Sequence, residues 1–446
     1  MRRLIISLHA LVLLIYLSFS CEGVLASDND DDDDDNKNNN NNKVTIKSAS
    51  LEYRLKMAKE GLSFGGEERT EDDKDDISML YEQIDEDLEP FRTKRISKDM
   101  TRKAWDRYAV KNFRGFGFSF VGNELYLATR RPTKEFNGHH ARLIYMYFND
   151  ICEAVGLTNN EEDKGETIRV PDVEMALSTF DYNFQDEEQL PVLCFCKDLE
   201  NPSESGCILH PGFGFRASKI DKNVYANREE FDKEYPWSSK DEKLIGRFSM
   251  YSRAGRHSET RARKIFVDFA ENRTEDIDVK AYNKISGISL REHMKHKYIL
   301  HLDGQGHSFQ FEEKLGMNSV VVSEKKLFQT YFSKILVPKK HYLEFWQNDK
   351  EPEDIIDVLK WARENDDLTQ KIAKNGQDFA HKYLTKKARL SYYRELFARY
   401  AKLLDYEVVK PEGAIRICCP GDYACRDDDI LVEKYSKEHY VLSEYA

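Results

Sequence analysis

Apolar positions fall into two alternating rhythms along most of the chain. From Ile46 to Leu62 and from Lys74 to Arg107 they recur every three or four residues among charges, which predicts amphipathic helices. Phe116 to Thr129 reads as two short strands around the turn dipeptide Gly122-Asn123, closed by Arg130, Arg131 and Pro132. His140 to Val155 returns to helical spacing, with Leu143, Met146, Tyr147, Ile151 and Val155 on one face. Strands are predicted at Ile168 to Leu177 and Leu190 to Cys196. Near Tyr235-Pro236-Trp237 the alternation restarts: a strand from Leu244 to Met250, then a helix from Ser258 to Phe269 with Ile265, Phe266 and Phe269 as its core stripe. Strands follow at Tyr298 to Leu302 and Ser319 to Ser323. Glu353 to Asn365, Leu368 to Tyr383 and Lys387 to Tyr406 are helical, and the acidic tail from Val408 reads as irregular. Strand alternating with helix, twice over, predicts two α/β layers.

One stretch stands apart, His296 to Lys314. A buried strand empties through Gly304 and Gly306 into a helix that leads to the next strand. Glycines let the backbone approach a ligand closely, and the amide groups and dipole at a helix start favour phosphate. The pattern predicts an anion-binding turn.

Composition narrows the reading. The 446 residues suggest two folded domains plus extensions, and 24 Tyr and 25 Phe supply a core. The net charge of -12 draws on the run Asp28 to Asp35 and carries no basic stripe, which argues against nucleic acid as a partner. Arg2 and Arg3 precede an apolar run from Leu4 to Phe19, then Val24-Leu25-Ala26; this predicts a secretory signal peptide over 1–26, or else an uncleaved signal anchor. Residues 27–45, rich in Asp and Asn, read as a disordered spacer. In an oxidising compartment, bonds from Cys194 or Cys196 to Cys207 and from Cys418 or Cys419 to Cys425 are expected. Cys194-Phe-Cys196 does not have the spacing of a zinc site. Asn272-Arg-Thr274 is a glycosylation sequon.

Six motifs in order then carry a resemblance. They are Val170-Pro171-Asp172-Val173-Glu174-Met175 before Asp181-Tyr182; Pro191 to Lys197; Tyr235-Pro236-Trp237 with Gly246-Arg247-Phe248-Ser249; Lys297-Tyr298 leading to Gly306-His307-Ser308-Phe309; His341-Tyr342; and Glu364 to Gly376. Between Val170 and Leu404 the chain resembles glycosyltransferase family 90, which includes protein O-glucosyltransferases and capsule-associated xylosyltransferases. The resemblance implies a GT-B fold: two Rossmann-like α/β domains facing across a cleft, with a C-terminal crossing helix. The implied layout is an acceptor-side domain over 46–240, a donor-binding domain over 241–384, the crossing helix over 385–407 and an acidic, cysteine-bearing tail over 408–446.

It also implies an inverting transfer of glucose or xylose from UDP-glucose or UDP-xylose to a hydroxyl of a protein or glycan, with no cofactor and no metal. The setting would be the secretory-pathway lumen, endoplasmic reticulum or Golgi, or the exterior after secretion, with no membrane contact beyond an N-terminal anchor. A non-catalytic lumenal binder of sugars or glycoproteins is the alternative. An inverting transfer needs a base at the acceptor hydroxyl. By spacing, Glu124 falls where the family carries its catalytic Asp, with Asp172 and Asp181 as other carboxylates. The leaving diphosphate needs cations and amide groups. The resemblance assigns donor contacts to Leu190, Ser249, a phosphate-binding Arg for which Arg261 and Arg263 both qualify, and the loop Gln305, Gly306, His307, Ser308, Phe309 and Gln310; Glu312 or Glu313, one turn into the helix, would take the ribose hydroxyls. Gln310 stands where the glucosyltransferases carry Arg; the neutral side chain cannot replace that charge, so either His307, Arg253 or Arg256 supplies it or turnover is weaker.

Overall fold

The computed structural model describes residues 75–111, 114–129, 138–158, 168–181, 188–199, 206–253, 261–283, 285–346, 352–419 and 439–441. The signal peptide, the acidic spacer and the helix expected from Ile46 lie outside the described residues, as do Arg130, Arg131 and Arg256. Among the described residues no helix is long and apolar enough to cross a membrane.

Continuous apolar runs make the strands of the second half. These are β7 (Asp241–Phe248), β8 (Ile277–Ala281), β9 (His296–His301), β10 (Val320–Glu324) and β12 (Leu343–Phe345), all parallel. β9 and β10 are buried throughout, as a parallel strand covered on both faces requires. The strand order is β12-β10-β9-β7-β8. Numbered within this sheet, that is a doubly wound 2-1-3-4-5 order read from the other side, and its direction reverses between β7 and β9. Ligands of such sheets bind outside the carboxyl ends at that reversal. Helices α4 (Ala262–Ala270), α5 (Gln310–Leu315), α6 (Asp354–Glu364) and α7 (Asp366–Tyr383) belong to this half. Ile265, expected in the core, is 39% exposed; Ala262, Arg263, Phe266 and Ala270 are the buried positions of α4.

The first half is a mixed sheet. β1 (Gly115–Val121) and β2 (Glu124–Leu127) form a hairpin whose turn residues, Gly122 and Asn123, both have positive φ, 59° and 63°, the primed geometry that matches strand twist. β3 (Val173–Ser178), β4 (Val192–Cys194) and β6 (Cys207–Leu209) run parallel to one another, with β1 antiparallel to β3. Short strands β5 (Lys197–Asp198) and β11 (Phe328–Gln329), one from each half, pair with each other. Helices α1 (Asp75–Lys94), α2 (Lys98–Trp105) and α3 (Gly138–Ala154) flank the sheet. α8 (Lys386–Ala401) follows α7 and returns to the first half: Tyr392 donates to the Leu209 carbonyl, Tyr393 to that of Pro211 and Arg394 to that of Ala154.

The tail departs from expectation. It adds β13 (Ile415–Cys418) and β14 (His439–Val441) to the first sheet beside β2. Cys419 bridges to Cys152 on α3, with Cα atoms 5.8 Å apart. Cys194, Cys196 and Cys207 are buried and not disulfide-bonded, so the local pairings expected from cysteine spacing do not form among them.

Candidate functional site

The loop after β9 lies where the carboxyl edges of the two sheets meet. On its own side it follows β9 and faces the segment leaving β7. On the other side it abuts the ends of β3, β4 and β6. A Cβ on Gly306 would stand 1.5 Å from the Asp181 carbonyl and 3.2 Å from Cys196 Sγ, so only glycine fits. Phe309 occupies the space over Gly212 and Gly214 and packs on Phe195 and Phe213, with ring centroids 4.9 and 4.8 Å apart. The loop therefore touches both halves.

Beneath it is a dense polar layer. Asp303, fully buried, receives hydrogen bonds on Oδ1 from the Ser308 amide (3.1 Å) and His301 Nε2 (3.1 Å). Its own amide donates to Glu324 (2.6 Å), and Glu324 pairs with Arg253. Burial opposes ionisation of Asp303, but Lys326 and the hydrogen bonds from His301 and His307 outweigh it and hold the pKa well below the usual carboxylate range. Burial also raises Glu324. His307 Nε2 lies 3.0 Å from both oxygens of Glu312. Burial pulls the His307 pKa down, yet Glu312 and Asp303 together raise it to about 9. Lys314 donates to the Leu300 carbonyl and to Gln310 Oε1, and burial lowers its pKa to about 7.

Arg263 is the keystone of the loop's base. Its Nε and Nη2 donate to the carbonyls of Asp303 and Leu302 (both 3.1 Å), and Nη1 donates to that of Ser249 (2.8 Å). It thus ties the ends of β7 and β9 together across the reversal point. All three nitrogens face backbone oxygens, and the residue is 7% exposed. Such a cation holds the loop rather than offering itself to a phosphate.

The sequence-derived positions divide accordingly. The structure brings together Ser249, Gln305, Gly306, His307, Ser308, Phe309 and Gln310, with Ser249, Gln305 and Gln310 exposed. Arg261 is exposed at the start of α4, and Glu313 is half-buried on α5 with a pKa raised by burial. Leu190 does not join them. It precedes β4, is 2% exposed and packs against Gly206, at the amino edge of the parallel strands.

Glu124 is likewise at the wrong end. β1 pairs Phe120 with Val173 and Gly115 with Ser178, so the hairpin turn sits beside the start of β3 and the loop beside its finish. The length of β3 alone separates them, about 17 Å. The Glu124 carboxylate accepts from Tyr126 and pairs with Arg416 at 3.0 Å; the Tyr126 hydrogen bond leads in lowering its pKa. Asp172 is at the same edge, accepting from the Gly122 amide. Asp181 is the one of the three whose backbone meets the loop, just past the end of β3.

Sequence reasoning missed His301, Asp303, Glu324 and Lys326. The signal was present in the spacing His-x-Asp-x-x-x-His, which sets three polar side chains around a strand end.

Comparison with known proteins covers most of this architecture. O-glucosyltransferase rumi of Drosophila pseudoobscura pseudoobscura is 27% identical over 279 residues, 56% of this chain and 65% of that protein. Protein O-glucosyltransferase 1 of Homo sapiens is 24% identical over 363 residues, 75% of this chain and 83% of that protein. The first of these is matched over less than two thirds of its length. A crystal structure of Anabaena Alr3699/HepE in complex with UDP-glucose is similar with a TM-score of 0.25 and 11% identity, covering 40% of this chain and 52% of that one. The model of glycosyl transferase family 90 matches residues 72–441, taking in both sheets, the loop between them and the strands of the tail. On that match the chain belongs to glycosyl transferase family 90.

Proposed function

We propose that the chain is an inverting glycosyltransferase of the secretory pathway that moves glucose, or xylose, from its UDP-sugar to a hydroxyl of a protein or glycan. The observation that carries this reading is the glycine loop of β9, set at the reversal point of one doubly wound sheet and facing the carboxyl edge of a second. That is the arrangement a GT-B enzyme uses to hold a nucleotide-sugar between two halves. In this reading the diphosphate lies along Gln305 to Ser308, with Ser249 and Arg261 at its rim and Glu313 toward the ribose. No metal is required, because amide groups and the buried cations beneath the loop oppose the developing charge. Asp181, whose backbone adjoins the loop from the first half, is the carboxylate this reading takes as base, with Glu124 supporting the hairpin instead. The relatives' names favour glucose and a protein acceptor. The predicted signal peptide favours a lumenal setting.

One observation favours the non-catalytic alternative. Arg263 is committed to carbonyls and Gln310 to Lys314, so the loop offers the diphosphate few mobile cations among the described residues.

The test is UDP release from UDP-glucose and UDP-xylose, with folded secreted domains as acceptors, with and without chelator. The transferase reading expects release with at least one donor, lost by about 100-fold or more in Asp181→Asn and kept in Glu124→Gln. No release with any donor, together with measurable UDP binding, would establish the binding-protein alternative.

A further inference from the structure

We propose that His301, Asp303 and His307 form a zinc site beneath the loop. Among the described residues these three are the group of His, Cys, Asp and Glu side chains whose ligand atoms converge, all within 4.8 Å of one another. They are 0%, 1% and 5% exposed. Asp303 Oδ1 is 3.1 Å from His301 Nε2 and 3.5 Å from His307 Nδ1. Ligands about 2.0–2.1 Å from a tetrahedral zinc ion lie roughly 3.3 Å apart, so the two gaps straddle the required spacing.

Two further observations point to a ligand. His301 Nδ1 and Asp303 Oδ2 are buried with no hydrogen-bond partner, two unmet polar atoms side by side. His307 also presents its far nitrogen to Glu312 at 3.0 Å while Nδ1 faces Asp303. A carboxylate behind a histidine is the usual means of fixing the tautomer and orientation of a metal-bound imidazole. Two imidazoles and one carboxylate form a donor set suited to zinc.

Metal entry replaces the hydrogen bond between His301 Nε2 and Asp303. The His301 proton moves to Nδ1, His307 releases its Nδ1 proton to solvent, and both imidazoles bind in their neutral form, so zinc uptake is accompanied by proton release. The ion would join the end of β9 to the loop that follows, fixing loop shape without touching the sugar diphosphate. The site is independent of the transferase reading, since its test reads metal content rather than turnover.

The experiment is elemental analysis of the untagged chain after equilibration with zinc and gel filtration, with thermal unfolding in zinc and in chelator. About one zinc per chain is expected, with a lower unfolding temperature in chelator. Asp303→Asn and His307→Gln should lose the ion, and Glu312→Gln should weaken zinc affinity about 10–100-fold. Cobalt replacement on the wild-type chain should give the intense visible bands of tetrahedral coordination. This arm needs no variant to fold. Absence of zinc after equilibration, or equal zinc content in Asp303→Asn, would overturn the proposal, as would cobalt bands typical of exposed octahedral binding.

Discussion

Replacing Arg263 by methionine distinguishes two roles for the same residue. As a phosphate ligand, Arg263 would matter only when UDP is bound. As a clamp, it matters in the free protein. Methionine keeps much of the volume and removes three hydrogen bonds to the carbonyls of Ser249, Leu302 and Asp303. Hydrogen bonds from charged groups contribute about 1.5–3 kcal/mol each, but removing the buried guanidinium also relieves its desolvation, the leading cause of its lowered pKa. A net loss of about 3 kcal/mol is the reasonable middle. Over residues 72–441 the unfolding entropy is about 0.8 kcal/mol per degree, so the melting temperature should fall about 4 °C without ligand. Lysine at this position retains charge but cannot reach three carbonyls from one planar group, and it should lose a similar amount. The assays are calorimetric unfolding and UDP titration of all three proteins. UDP affinity should drop in both variants, because the loop is no longer held in shape. An unchanged melting temperature in Arg263→Met, with UDP affinity rescued in Arg263→Lys, would refute the clamp.

Other consequences are simpler to state. Cys152→Ser should lower stability by up to about 5 kcal/mol, since the bond to Cys419 closes a 267-residue separation; non-reducing peptide mapping checks the pairing itself. Gly306→Ala should cost several kcal/mol, more than the usual 1–3 for overpacking, because the obstructing atom is the Asp181 backbone oxygen; thermal unfolding reads it. Burial lowers the Lys240 pKa to about 7, so between about 7 and 10.5 the unfolded chain holds a proton that the folded chain has shed. The Lys240 contribution therefore rises with pH across that window, and denaturant unfolding at pH 7 and 9 should show up to about 2.5 kcal/mol of gain that Lys240→Met lacks.

Periodicity made the α/β alternation, the Gly122-Asn123 hairpin and the glycine turn after β9 legible, because each depends on neighbours in sequence. The interior face of α3 was legible for the same reason: Leu143, Met146, Tyr147, Ile151 and Val155 are all buried. Ile265 was misread because α4 packs one stripe on its sheet and leaves the next residue outward. The Cys152–Cys419 bond escaped notice because spacing favours near partners and says nothing of a tail that returns to pair with β2. Arg263 is illegible for a physical reason too. An arginine at a helix start can reach outward to an anion or inward to carbonyls, and tertiary contacts alone decide which.

Strand direction explains together why the other positions lie away from the loop. Residues in a parallel α/β sheet reach a ligand from the carboxyl ends of its strands. Leu190 precedes β4 and Asp172 precedes β3, so each begins a strand whose opposite end faces the loop. Glu124 opens β2, which is antiparallel to β1 as β1 is to β3, and this again places it at the amino edge. Asp181 follows β3, Cys196 follows β4, and Gly212 and Gly214 follow β6; all of these meet the loop. The same rule sorts the second sheet, where Ser249, Asp303 and Glu324 stand at the ends of β7, β9 and β10 and share one hydrogen-bonded layer through Arg263 and Arg253. Whichever residue proves to be the base, the rule places it past the finish of a first-half parallel strand, or on the stretch that follows β2 back toward that edge.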